Sequence, residues 1–207
     1  MLNIGVLVSG GGTNLQTLID AEKNGEIKNG KLKLVISSKA DVFALKRAEQ
    51  AGITNFAVPR SEYNSAEDYS KKLIDILEEN NIDLVVLAGF LTITSDEFVK
   101  KYKNRIINVH PALIPSFSGK GFYGLHVHEA ALERGVKLTG ATIHFVNEVC
   151  DGGPIIMQKS VEVMDDDTPE SLQKRVMEEA EWQLLPKAVS LFCDGKIKVD
   201  GNKVIIR

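Results

Sequence analysis

Two rhythms of apolar residues alternate along this chain. Short runs rich in valine, isoleucine and leucine occur at Asn3 to Val8, Leu32 to Ile36, Asn55 to Val58, Leu84 to Leu87, Arg105 to Val109, Gly140 to Val146 and Ile155 to Val163. Between several of them the apolar positions fall three and four apart, the period of a helix with one buried face. That second rhythm predicts helices from Asn14 to Lys23, from Phe43 to Ala51 ahead of Gly52, and from Ala66 to Asn80, where Tyr69, Leu73, Ile76 and Leu77 share a face. Apolar strands alternating with helices form βαβ units around a sheet covered on both sides. The expected fold class is α/β, a doubly wound, mainly parallel sheet.

Turn and cap residues complete the outline. Thr168 stands where an N-cap belongs, Pro169 takes the first helical position, and Gly195 ends the stretch. Pro186 is expected to kink or divide that helix. In the tail, Lys196 to Arg207, Asp200-Gly201 between two apolar runs signals a small hairpin. No repeat or linker interrupts the pattern, so one domain over residues 1–207 is expected.

Composition narrows the picture. The 25 basic and 28 acidic residues give a net charge of −3, which makes no electrostatic case for nucleic acid or an anionic membrane. Cys150 and Cys193 are the only cysteines and lie far apart, so neither a disulfide framework nor a thiolate metal site is expected. Free thiols and an amino terminus without a signal-peptide pattern fit the cytoplasm.

Candidate chemistry begins at "VLVSGGGTNLQTLI". Three glycines between the first strand and the first helix can present backbone N–H groups to an anion, with donors added by Thr13 and Asn14. A tight turn without ligand is the plain alternative. The loop lacks the lysine of a Walker A motif, and it lacks both the third glycine of a dinucleotide fingerprint and an acidic residue after the second strand. A single phosphate on a small ligand suits it better than NAD.

Three further segments, "LAGFLTI", "NVHPALIP" and "NEVCDGGPII", carry turn residues beside strands and are expected to converge on the ligand edge of the sheet. His110 ends an apolar run, and Pro111 stops its ladder immediately afterwards. Asp151-Gly152-Gly153-Pro154 by itself reads equally as an ordinary turn.

Taken in order and spacing, "SGGGTN", "LAGF", "NVHPALIPSF", "HFV" and "DGGPII" resemble the phosphoribosylglycinamide formyltransferase family of the 10-formyltetrahydrofolate-using superfamily, over nearly the whole chain. The resemblance implies a Rossmann-like formyltransferase fold. It also implies transfer of a formyl group from 10-formyltetrahydrofolate to the amine of glycinamide ribonucleotide in purine biosynthesis. It divides the chain into a phosphate-binding half at about 1–100, a folate and catalytic half at about 84–195, and the terminal hairpin at 196–207.

By resemblance, Asn108, His110 and Asp151 match the catalytic trio. Gly11, Gly12, Thr13 and Asn14 match the loop that binds the substrate phosphate, and Glu181 matches the acid that binds the ribose. One extra residue separates Arg175 from Glu181 compared with relatives. Phe90, Leu91, Thr92, Ile93, Thr94, Val146, Asn147, Val149 and Cys150 would surround the folate. The resemblance implies arginine in many members where this chain has Thr92, and in some where it has Ala66, so it does not say how the folate glutamate is held here.

The segment from Ser116 to His128 is long and glycine-rich, readable as a lid or as a plain surface loop. Lys120 would then reach the substrate phosphate and His126 would line the entrance. His126 with His128 has no third ligand, so no metal is expected. His144 lies mid-strand and is expected to be structural. Three rival readings are less favoured, the first two because such relatives carry an added domain that does not fit this length and the third because Asn108, His110 and Asp151 are all present. They are a formyltetrahydrofolate hydrolase, a methionyl-tRNA formyltransferase, and a non-catalytic folate or nucleotide sensor. The pattern does not distinguish monomer from homodimer.

Overall fold

In a computed structural model describing residues 1–207, seven strands form one sheet in the order β3-β2-β1-β4-β5-β6-β7. Five are parallel: β1 (Leu2–Val8), β2 (Gly30–Ser37), β3 (Thr54–Ala57), β4 (Leu84–Leu87) and β5 (Ile106–His110). The remaining two, β6 (Leu138–Phe145) and β7 (Ile155–Glu162), pair antiparallel, β6 against β5 and β7 against β6. The chain order reverses at β1, whose neighbours are β2 and β4, and an open α/β sheet binds ligands at the strand carboxyl ends beside such a switch.

Alternation within strands buries both faces. Ile4, Val6 and Val8 of β1 pack with α1 (Thr13–Lys23), α2 (Phe43–Gln50) and α7 (Trp182–Cys193), whereas Leu7 packs with α3 (Ala66–Glu79) on the other face. The predicted stripe of Tyr69, Leu73, Ile76 and Leu77 is the buried side of α3, whose N-cap Ser65 accepts from the Asp68 N–H. Two helices beyond those expected, α4 (Asp96–Lys101) and α5 (Leu125–Arg134), follow β4 and the glycine-rich loop. A third core cluster joins Ala131 of α5 and Ala141 of β6 to Leu172 and Val176 of α6 (Pro169–Val176).

Thr168 caps α6 in a reciprocal arrangement with Ser171, and Pro169 sits at its first turn, as expected. The expected break at Pro186 is displaced: α7 runs through Pro186, and the irregularity is a π-helical turn at Met177–Glu181. A π turn absorbs one additional residue without changing the register of the flanking helices. The tail forms the hairpin β8 (Ile197–Asp200) and β9 (Lys203–Ile206).

Candidate active site

The glycine loop joins β1 to α1. Gly12 is the N-cap of α1 with φ 73°, and a Cβ there would stand 2.7 Å from the Ala44 Cβ. Glycine is thus required both by the left-handed backbone and by the approach of α2. The Gly10 carbonyl accepts from the Ala44 N–H and the Gly11 carbonyl from Arg47 Nε at 2.9 Å. No side chain caps α1, so its first-turn N–H groups have no side-chain acceptor.

Asn14 turns its amide away from the loop. Its Nδ2 donates to Glu181 Oε2 at 2.6 Å, and its Oδ1 is buried without a partner. Glu181 is 6% exposed, and burial pushes its pKa up to about 7 against the opposing hydrogen bond from Asn14. The π turn also brings Met177 Sδ to Thr13 Oγ1 at 3.8 Å, so the sequence-distant ends of this region meet.

The second cluster forms at the end of β5. His110 is the last residue of that strand and is buried, with Nε2–H donating to the Phe117 carbonyl at 2.8 Å. Its Nδ1 lies 3.5 Å from Asp151 Oδ2. Burial lowers the His110 pKa, opposed by the Asp151 charge and the Phe117 carbonyl. Burial alone would raise Asp151, but hydrogen bonding to His144, the charge on His110 and the Gly119 N–H together hold it below the ordinary carboxylate range. Asp151 is accordingly ionised at neutral pH.

His144, expected to be structural, lies in contact with this cluster. Asn108 and His144 are direct partners across β5 and β6. The His144 Nδ1–H donates to the Phe145 carbonyl at 2.8 Å, and its Nε2 faces Asn108 Nδ2 at 3.1 Å and Asp151 Oδ1 at 3.6 Å. A lone mid-strand histidine gives no local sign of this. The available signal was its place in the "HFV" element of the resemblance.

The route by which Asp151 arrives also differs from expectation. Because β6 is antiparallel, its carboxyl end lies beside Ile107, away from the carboxyl ends of the parallel strands. The loop from Val146 to Pro154 folds back over the sheet instead. Gly153 allows this, since a Cβ there would collide with the Phe145 carbonyl oxygen that fixes His144. Asn147 ties the loop internally, with Nδ2 donating to the Gly152 carbonyl at 3.2 Å and Oδ1 accepting from the Val149 N–H at 3.0 Å.

Around the two clusters, Leu91, Ile93 and Val149 are exposed apolar side chains, while Phe90 is buried in the core beneath them. Thr92, Thr94 and Val146 are half-buried, and exposed Cys150 lies against Asp151, whose charge adds to burial in raising the thiol pKa. The segment preceding α5 closes over the second cluster: the Phe117 carbonyl takes His110, and the Gly119 N–H donates to Asp151 Oδ2 at 2.8 Å. Lys120 is exposed on it. His126 and His128 lie on α5 itself and do not share a face, being two residues apart. Exposed His126 pairs with Glu129 at 2.9 Å and packs on the ring of Tyr123. His128 is fully buried with neither ring nitrogen partnered, and burial and then the charge on His110 lower its pKa to about 4.

Residues 2–189 match the formyl transferase family. The chain is 42% identical to phosphoribosylglycinamide formyltransferase of Escherichia coli over 97% of this chain and 92% of that one. The crystal structure of glycinamide ribonucleotide transformylase 1 from Symbiobacterium toebii superposes with a TM-score of 0.93 at 39% identity, covering all of this chain and 94% of the other. A formyltetrahydrofolate deformylase from Pseudomonas syringae superposes with a TM-score of 0.88 at 26% identity, and this chain covers 99% of its own length but 65% of that protein. With the sheet order, the glycine loop and the Asn108, His110, His144 and Asp151 cluster in place, this chain belongs to the formyl transferase family.

Proposed function

We propose that this protein transfers the formyl group of 10-formyltetrahydrofolate to the primary amine of glycinamide ribonucleotide. The observation carrying the reading is the cluster at the end of β5, where an amide, an imidazole, an ionised carboxylate and a second imidazole meet in a chain from Asn108 through His144 and Asp151 to His110. Such a set suits acyl transfer between a nitrogen donor and a nitrogen acceptor.

Each residue has a chemical task in this reading. Attack of the amine on the formyl carbon places negative charge on oxygen, and Asn108 Nδ2 and His110 Nε2 donate to it. Displacing the Phe117 carbonyl from His110 frees that nitrogen for the reaction. Asp151 holds the charge on His110 and, directly or through water, helps carry the proton from the attacking amine to the departing folate nitrogen. His144 orients Asn108 and Asp151, its own ring fixed by the Phe145 carbonyl.

The ligands divide between the two clusters. Gly11, Gly12 and Thr13 receive the ribonucleotide phosphate, and Glu181, held by Asn14, accepts from the ribose hydroxyls. Leu91 to Thr94 and Val146 to Cys150 flank the folate, Leu91 and Val149 as exposed apolar contacts. Lys120 and the segment around it act as a lid. Free cysteines at 150 and 193 support a reducing, cytoplasmic setting.

Loss of the formyl group from a 10-formylfolate, followed by absorbance with and without glycinamide ribonucleotide, tests the assignment. Turnover is expected only with the amine, and His110→Ala should lower it by about 10²- to 10⁴-fold. Turnover without the amine would identify a hydrolase. Ligand binding without turnover would identify a sensor.

A further inference from the structure

A second cleft, of about 400 Å³, opens beside Leu91 and Thr92 and is lined also by Lys39, Arg60, Ser61 and Tyr123. Two cations line it, and no acidic side chain does. In a chain of net charge −3 this is an unusual local balance. Like charges brought together without counter-charges cost free energy, and an anionic ligand would relieve that cost.

The two cations are held differently. Arg60 begins a short 3₁₀ turn at Arg60–Glu62, donates through Nη1 to the Tyr63 carbonyl at 2.7 Å, and lies over the Tyr69 ring. These contacts fix the guanidinium plane while occupying one of its five donors. Lys39 lies two residues beyond the end of β2, its side chain exposed and free of any ion pair. A planar fork beside a mobile point charge suits a ligand with two carboxylates, the fork gripping one in bidentate fashion and the ammonium reaching the other. The cleft floor is rigid by comparison, since Ser9 Oγ meets Ser38 Oγ at 2.6 Å and accepts from the Leu91 N–H at 2.9 Å.

Building on the proposed folate reaction, we propose that Lys39 and Arg60 form a carboxylate subsite for the glutamyl end of the formyl donor. The donor's apolar rings would lie along Leu91, and its dicarboxylate would extend past Thr92 into this cleft. The charge comes from the segment that follows β2 and from the turn after β3. The ribonucleotide phosphate belongs elsewhere, at the glycine loop.

The test compares KM for 10-formyl-5,8-dideazafolate and for its analogue lacking the glutamate, in wild type, Lys39→Gln, Arg60→Gln, the double variant and Arg60→Lys. Wild type should prefer the glutamyl donor by about tenfold or more, the effect of one charge-assisted hydrogen bond. The double variant should lose that preference with kcat and the KM for glycinamide ribonucleotide unchanged. Arg60→Lys should recover part of it, and added salt should narrow the wild-type gap. Exposed Lys39 can be substituted without disturbing the fold, which keeps the test decisive if Arg60→Gln unfolds. An unchanged preference in Lys39→Gln, or in the double variant where it folds, would overturn the subsite while leaving formyl transfer intact. A rise in KM for the ribonucleotide would instead assign the cations to phosphate. Absence of transfer in wild type would overturn the proposed function and this subsite with it.

Discussion

Glu181 shows how one buried carboxyl makes stability depend on pH. Its pKa is raised to about 7 in the fold, against 4.5 for the ordinary group, so the folded chain holds this proton more tightly than the unfolded chain. Its stabilising contribution is therefore complete below about pH 4.5 and is lost as pH rises through about 7. The two values set the loss on the order of 3 kcal/mol. Glu181→Gln, which mimics the protonated acid, should flatten this dependence and raise stability at pH 8 relative to wild type, as read from denaturant midpoints at pH 5 and pH 8. At the same scale, His110 was legible because a proline stops its strand at once. His144 was not, because its task depends on a partner across the sheet that no local pattern names.

The C-terminal helix pair carries the clearest lesson at the level of elements. Capping chemistry at Thr168 and Pro169 was readable, since it rests on residues within four positions of each other. The location of the irregularity was not. Proline is a strong local breaker, yet Pro186 lies within α7, where its missing N–H follows closely on the widened turn at Met177–Glu181. Deleting exposed Glu179 should convert that turn to regular helix while α6 and α7 keep their packing registers. The shortened protein should unfold cooperatively, with a KM for glycinamide ribonucleotide within about tenfold of wild type, a change of no more than ~1.4 kcal/mol. Steady-state kinetics and thermal unfolding check both parts. The direction of β6 was likewise hidden, because antiparallel and parallel neighbours both present buried apolar runs.

Across the whole molecule, stability and chemistry are assigned to different layers. Leu73 lies fully buried in the cluster between α3 and the sheet. Leu73→Ala should lower the free energy of unfolding by about 2–5 kcal/mol through lost burial and a residual cavity. The denaturant midpoint should fall with little change in slope, and both KM values should remain as in wild type. The alternation of apolar runs made this layered plan readable from the start. The contacts that assemble the site were less so, because they join residues far apart in sequence, Asn14 to Glu181 across most of the chain and His110 at the end of β5 to Asp151 in the loop before β7.

The pairing of Asn108 with His144 makes the sheet itself a keeper of the chemistry. Side chains alternate between faces, so sliding β6 by one residue would point His144 into the core and put Phe145 or Ile143 opposite the amide. Loops and turns outside this pairing, such as the Ser116 to Gly124 segment and the π turn before Trp182, can change length while the Asn108–His144 pair stays aligned. Substrate preference is then an interchangeable fitting, and the reaction is the frame to which it is bolted.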